Sequence, residues 1–129
     1  MNPTDLKYTK DHEWLRVKGG SEAEVGITEF AQKQLGDVVY VEFPNVGMTL
    51  SEKEPFGSIE SVKAVSELFA PVSGEVIAVN SELSDAPENI NESPYEAWII
   101  RVKMASADGT KGLLSAQEYE AFLKQEEAE

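Results

Sequence analysis

The sequence predicts a mainly β protein: a small flattened barrel or sandwich of two quasi-repeated β units. A short helix near residues 28–35 and a C-terminal helix near 115–124 are added to it. Three observations carry this reading. Short β-branched and aromatic runs, punctuated by Gly, Pro, Asn and Ser, fill residues 37–77. Gly36-Asp37-Val38-Val39-Tyr40-Val41 resembles Gly74-Glu75-Val76-Ile77-Ala78-Val79, and Ile59-Glu60-Ser61-Val62-Lys63 resembles Ile99-Ile100-Arg101-Val102-Lys103. One supersecondary unit therefore occurs twice, in halves of about 36–63 and 74–103, too few copies for a solenoid. Finally, helix signals are confined to two places, each with its own start chemistry. A chain of 129 residues suits one domain with a real core.

The elements follow in order. Residues 1–10 read as a loose arm ending at Tyr8. Glu13 to Val17 and Glu22 to Ile27 form a hairpin about the turn Lys18-Gly19-Gly20-Ser21. Thr28 caps a helix over Glu29 to Leu35, and Gly36 stops it. Val38 to Phe43 is a strand, Pro44 to Gly47 a turn, and Met48 to Ser51 a short strand before the turn ending at Pro55. Apolar runs Phe56 to Ile59 and Leu68 to Val72 flank a hairpin, and Glu75 to Val79 resumes the sheet after Pro71 and Gly74. Ser84 to Pro94 reads as a polar loop, Trp98 to Lys103 as a last strand, and Ser106 to Gly109 as a turn. Ser115 and Glu118 make a capping box before the stripe Tyr119, Phe122, Leu123. The acidic tail Gln125 to Glu129 is expected to fray.

The hairpin has a mirror pattern about the Lys63–Ala64 bond. Val62 faces Val65, Ser61 faces Ser66 and Glu60 faces Glu67, which predicts a two-residue turn with Lys63 held at its tip. Lys-Ala is poor chemistry for such a turn, which favours Asn-Gly or Asp-Gly, and the glutamates would be like charges opposite one another. Local rules broken at one spot point to function, although a solvated lysine on a surface turn is the ordinary case. The repeat discriminates further: Lys103 is the counterpart of Lys63, yet no returning strand follows it, so Lys63 is the presented one.

Composition narrows the chemistry. There is no cysteine, which excludes disulfides, thiolate metal sites and a cysteine nucleophile. A net charge of −13 opposes nucleic acid and anionic membranes and suits basic patches on other proteins. No apolar run reaches membrane-span length, and Met1 to Asp5 shows no signal or transit peptide pattern, so a cytoplasmic, bacterial protein is expected. His12, the single histidine, lacks a supporting catalytic motif. The acidic series Glu82, Asp85, Glu88, Glu92, Glu96 lacks the spacing and glycine of a calcium loop and reads as solvated. Trp14 and Trp98 read as core.

Taken together, these segments resemble the glycine cleavage system H proteins, which are lipoyl carriers. The resemblance runs through His12-Glu13-Trp14, Gly26-Ile27-Thr28-Glu29-Phe30-Ala31-Gln32, Leu35-Gly36-Asp37, Glu60-Ser61-Val62-Lys63-Ala64, Ser73-Gly74-Glu75-Val76 and Asn91-Glu92-Ser93-Pro94-Tyr95. Each segment is weak alone; their order across nearly the whole chain is specific. One departure is that Tyr95-Glu96-Ala97-Trp98 is a residue shorter than the family pattern and lacks its glycine, which puts the local loop shape in question.

The resemblance implies a biotinyl/lipoyl-type barrel-sandwich with lipoate on an amide bond to Lys63. It implies a non-catalytic, monomeric shuttle between glycine decarboxylase (a pyridoxal phosphate enzyme), an aminomethyltransferase and dihydrolipoyl dehydrogenase, with lipoate-attaching enzymes as further partners. The aminomethyl amine is cationic and easily lost, so carboxylates near the arm are expected to shelter it: Glu13 and Glu67. Glu60, with Glu67, is expected to form a signature for the attaching enzymes. The alternatives are an H-like carrier that relays lipoyl groups, a lipoyl domain of a 2-oxoacid dehydrogenase, and a biotin carrier. A 2-oxoacid lipoyl domain usually has Asp-Lys-Ala and lacks the helices. Biotin carriers flank their lysine with methionine, where Val62 and Ala64 stand here. From other classes come an acidic adaptor without cofactor and a small hydrolase.

Overall fold

The computed structural model describes residues 2–106 and 110–128. Its first hairpin is β1 (Lys7–Tyr8) with β2 (Glu13–Gly19), and β2 pairs in turn with β3 (Glu22–Ile27), all antiparallel. Thr28 then caps α1 (Glu29–Leu35): its hydroxyl accepts the Ala31 N–H at 3.2 Å. Gly36 closes the helix at φ +78°, a left-handed conformation that favours glycine. The strands β4 (Val38–Glu42), β5 (Thr49–Leu50), β6 (Pro55–Ser61), β7 (Val65–Phe69) and β8 (Gly74–Val79) follow. Two single-turn helices, α2 (Glu82–Asp85) and α3 (Asn89–Glu92), precede β9 (Ile100–Met104) and α4 (Ala116–Ala128).

Among the described residues the strands form two sheets. One has the order β1-β2-β3-β9-β8-β5, the other β4-β6-β7. The fold is thus the expected mainly β barrel-sandwich with few helices. The related segments pair alike: β4 with β6 in the small sheet, β8 with β9 in the large one. Alternation along the strands turns Val25, Val41, Ile59, Leu68, Val76 and Ile100 inward, where they form the inter-sheet core. A second cluster, Leu6, Tyr8, Trp14, Ala116 and Tyr119, seats α4 outside the sandwich. Trp14 is fully buried and its ring lies over Gly26, where an added Cβ would meet ring carbons at 2.5 Å. Trp98 is half-buried against that cluster.

Several expectations need correction. The N-terminal arm is not loose: Leu6 and Tyr8 are buried because Tyr8 stacks on Tyr119 of α4, ring centroids 4.8 Å apart. The span Ser84 to Pro94 is not all loop, since α2 overlaps its start and buries Leu83 just before it, while α3 lies within it and buries Ile90. The last helix does not fray after 124 but runs to Ala128, with Glu126 3.4 Å from His12 Nε2. Of the turn expected over Ser106 to Gly109, residues 107–109 lie outside the described residues.

The hairpin register also differs. Glu60 pairs with Val65, Ile59 with Ser66 and Ser58 with Glu67, so the turn centres on Val62 and Lys63 rather than on Lys63 and Ala64. The like-charge pair Glu60/Glu67 does not face across the strands. The cause lies in Ser61. Its backbone N–H donates to Ala64 O at 2.8 Å, and its hydroxyl accepts the N–H groups of Lys63 and Ala64, each at 3.1 Å. This closure needs no positive φ at Val62 or Lys63, which removes the demand for glycine.

A presented lysine beside an acidic cavity

Lys63 is exposed at the tip of the β6–β7 hairpin, which is fastened rather than free. The Val62 N–H donates to Asp37 O at 3.0 Å, and Ser61 pairs with Val38, so the tip is held on the corner between α1 and β4. That corner is clamped by Asn91 of α3. Its Oδ1 accepts the Val38 N–H at 2.9 Å, and its Nδ2 donates to Gly36 O at 2.8 Å and to Gln32 Oε1 at 3.0 Å. Lys103, by contrast, lies within β9, paired with Glu22 and Glu75.

Beside the tip lies a cavity of about 170 Å³ between α1, β7 and the turn before β2. Ile27, Ala31, Leu35, Ile59 and Leu68 give it apolar walls, and Asp11, Glu13 and Glu67 supply the acids. Glu13 is 2% exposed. Its Oε2 accepts the Phe69 N–H at 2.8 Å, and Thr9 Oγ1 stands 3.4 Å from its Oε1. Burial pushes the carboxyl up to about 8, and Asp11 adds to the rise, against the opposing hydrogen bonds from Phe69 and Thr9. Among the described residues lining the cavity, no lysine or arginine is present to neutralise it. A buried acid without a cationic partner costs stability. A cation entering the cavity would favour the ionised form of this acid.

The carboxyl is held by local geometry. His12 sits at φ +68°, unusual outside glycine, and this turn sends the following side chain inward. His12 itself is among the residues that line the cavity. Its Nδ1 is 2.8 Å from the Tyr119 hydroxyl, which also lies 2.7 Å from Thr28 Oγ1. Burial lowers the His12 pKa, opposed by Glu126 and Asp11.

Of the residues singled out from sequence, Glu13 and Glu67 are brought to one cavity, although they are far apart in the chain. Glu60 is exposed opposite Val65 and is not among the lining residues. The acids from Glu82 to Glu96 form no metal-holding group among the described residues. From sequence alone Asp11, Gly36 and Asn91 have no role at the site, although Gly36 reads as a helix stop; Asn91 and Gly36 lie in segments that carry the resemblance to the H proteins, and Asp11 directly precedes one.

The residues fit a lipoyl group: an exposed amine at a fastened tip, a glycine surface beneath its stem and an amphiphilic cavity alongside. A two-sheet barrel-sandwich presenting a lysine in this way has the build of the swinging-arm carrier proteins. The family model described as Glycine cleavage H-protein matches residues 6–126. Glycine cleavage system H proteins of Bacillus cereus (strain AH187) and Bacillus anthracis (strain A0248) are each 54% identical over 125 residues, 96% of this chain and 98% of theirs. A crystal structure of a glycine cleavage system H protein from Mycobacterium marinum superposes with a TM-score of 0.86 at 39% identity, covering 95% of this chain and 99% of that one. The chain belongs to the glycine cleavage H-protein family. It is therefore a lipoyl carrier of the glycine cleavage system, not itself an enzyme, and it serves the decarboxylase, the aminomethyltransferase and dihydrolipoyl dehydrogenase.

Proposed function

We propose that Lys63 is the residue that takes lipoate, and that Glu13 and Glu67 shelter the cationic cargo in the cavity beside it. The observation carrying this reading is the buried Glu13 carboxyl facing a cavity with acidic and apolar walls and no lysine or arginine. Held on Lys63, a lipoyl group would supply a disulfide/dithiol pair able to carry an aminomethyl group and then reducing equivalents between the three enzymes. The chain's own part is mechanical and electrostatic. Ser61 and Asp37 hold the tip, α1 and β7 form the walls that exclude water, and Glu13, its proton held by burial near neutral pH, is the acid that ionises as the amine arrives.

Under this reading residues 1–129 act as one carrier domain, with pseudo-repeat halves of about 36–63 and 74–103. Glu60, exposed near the tip, remains a candidate contact for the lipoate-attaching enzymes. Among the described residues no helix is long and apolar enough to cross a membrane, and the carrier is read as cytoplasmic. Intact mass and peptide mapping after expression with lipoate and its attaching enzymes test the attachment: a lipoyl adduct on Lys63 is expected, and its absence or its appearance on Lys103 refutes it. Charging with glycine and decarboxylase then tests the shelter. Glu13→Ala and Glu67→Ala should each speed loss of the aminomethyl group, and unchanged rates in both would sink the idea. A glycine–bicarbonate exchange assay separates this carrier from a lipoyl relay, which would accept lipoate without supporting exchange.

A further inference from the structure

We propose that Gly36 is a positioning residue: its bare α-carbon is the shelf over which the Lys63 stem passes, and it sets the direction in which the lipoyl arm leaves the hairpin. The proposal rests on Lys63 being the attachment residue.

A Cβ added at Gly36 would stand 2.7 Å from Lys63 Cε, 3.6 Å from Nζ and 3.8 Å from Cδ. The far half of the lysine stem therefore lies against this glycine. The nearest of these distances is closer than real Cβ contacts; because Cε is the far end of a flexible, exposed side chain, a side chain at 36 is accommodated by the stem moving off the glycine, which changes the arm's course rather than the packing. Other glycines with positive φ make the contrast. Gly47 (φ +96°) and Gly20 (φ +55°) have nothing within 4 Å of an added Cβ, so conformation alone accounts for them. At Gly36 (φ +78°) the backbone demands glycine, and the space a Cβ would fill is the course taken by the Lys63 stem.

The shelf is fixed relative to the lysine. The Val62 N–H bond to Asp37 O ties the tip to the residue beside Gly36, and Asn91 holds Gly36 O itself. The direction follows from what adjoins the shelf. Leu35, Gln34 and Ala31, the residues leading up to Gly36 along α1, line the cavity that Glu13 faces. A stem resting on Gly36 is thus aimed along the C-terminal end of α1 and not straight out to solvent. Such a bias removes orientations a flexible stem would otherwise sample before reaching the cavity.

The test uses the full-length lipoylated protein in four forms: parent, Gly36→Ala, Gly36→Asn and Gly47→Ala. Gly36 sits at φ +78°, ψ −157°, a region essentially reserved for glycine, so both Gly36 substitutions also strain the backbone, and the Val62 amide in the unlipoylated variants reports that distortion apart from clearance. Gly47→Ala imposes strain without a neighbour. Intact mass comes first: absence of an adduct on Lys63 of the parent would refute the attachment reading and not the role of Gly36. Each form is then charged with glycine and decarboxylase. Amide shifts of Ala31, Gln34 and Leu35 are compared with and without the lipoyl group, and the loss rate of the aminomethyl group is measured. The parent and Gly47→Ala should show α1 perturbations and slow loss. Gly36→Asn should show diminished α1 perturbations and severalfold faster loss, as should Gly36→Ala where it folds. The proposal is overturned if Gly36→Asn matches the parent in either readout, or if Gly47→Ala departs as far as the Gly36 variants.

Discussion

The Glu13 carboxylate accepts the backbone N–H of Phe69 at 2.8 Å and so joins β2 to β7 across the floor of the cavity. This buried acid makes stability depend on pH with a definite sign. Its pKa is raised from 4.5 to about 8, chiefly by burial. Below the ordinary value the carboxyl is protonated in folded and unfolded chains alike. Between the two values the folded protein keeps a proton that the unfolded chain has released. The contribution of Glu13 to stability is therefore intact below 4.5 and is lost as pH rises through 8. Glu13→Gln keeps an acceptor for Phe69 and cannot ionise. Urea midpoints across this range should fall with rising pH in the parent more steeply than in Glu13→Gln. Equal slopes would remove the assignment.

This pairing also marks how far the sequence could be read. The strands, the α1 cap at Thr28 and the stop at Gly36 were legible because each follows from neighbours a few residues apart. The presented lysine was legible from the repeat, since Lys103 continues a strand and Lys63 does not. The hairpin register was misread because matching residue types across an axis ignores the side chain that closes the turn, here Ser61. The short helices α2 and α3 were missed because a single turn shows no period. The cavity could not be foreseen as a place: the approach of Glu13, α1 and β7 depends on long-range packing that local spacing does not encode.

Glu24 is a second buried acid, but a paired one. It is 5% exposed, with Oε2 2.8 Å from Arg101 Nη2 and Oε1 3.5 Å from Arg16 Nη1. The three residues form a row across β2, β3 and β9, and the guanidiniums lie over the rings of Trp14 and Trp98 at 4.8 and 4.7 Å. Glu24→Ala leaves two cations facing each other on one sheet. The loss should be about 2–3 kcal/mol, below the value for a fully buried pair because both arginines reach solvent. Denaturant unfolding measures it, and a cost near zero would show the row to be ornamental to stability.

Tyr119 joins α4 to the site. Its hydroxyl lies between His12 Nδ1 and Thr28 Oγ1, and its ring stacks on Tyr8. Tyr119→Phe keeps the stack and removes the hydroxyl, taking one hydrogen bond from His12 Nδ1 and one from the buried Thr28 Oγ1, which keeps the Ala31 N–H. A loss of about 1–2 kcal/mol is expected. Hydrogen exchange should quicken in α4 and in the turn preceding Glu13 together. Faster exchange in α4 alone would mean that His12 is held without this bond.

Asn91 clamps the corner that carries the lysine tip, and its two substitutions should rank in a fixed order. Asn91→Ala deletes the bonds to Val38, Gly36 and Gln32, leaving groups that water can partly satisfy, for a cost of about 1–2 kcal/mol. Asn91→Asp keeps the acceptor for Val38 but turns a charged oxygen toward Gly36 O and Gln32 Oε1, where a donor stood. It should cost more, about 2–3 kcal/mol. In both variants the Val62 and Val38 amides should exchange faster, because the tip hangs from Asp37 and so from this corner. The core amide of Val25 should keep its protection. If Val62 keeps its protection in both variants, Ser61 alone holds the tip and the clamp does not reach the lysine.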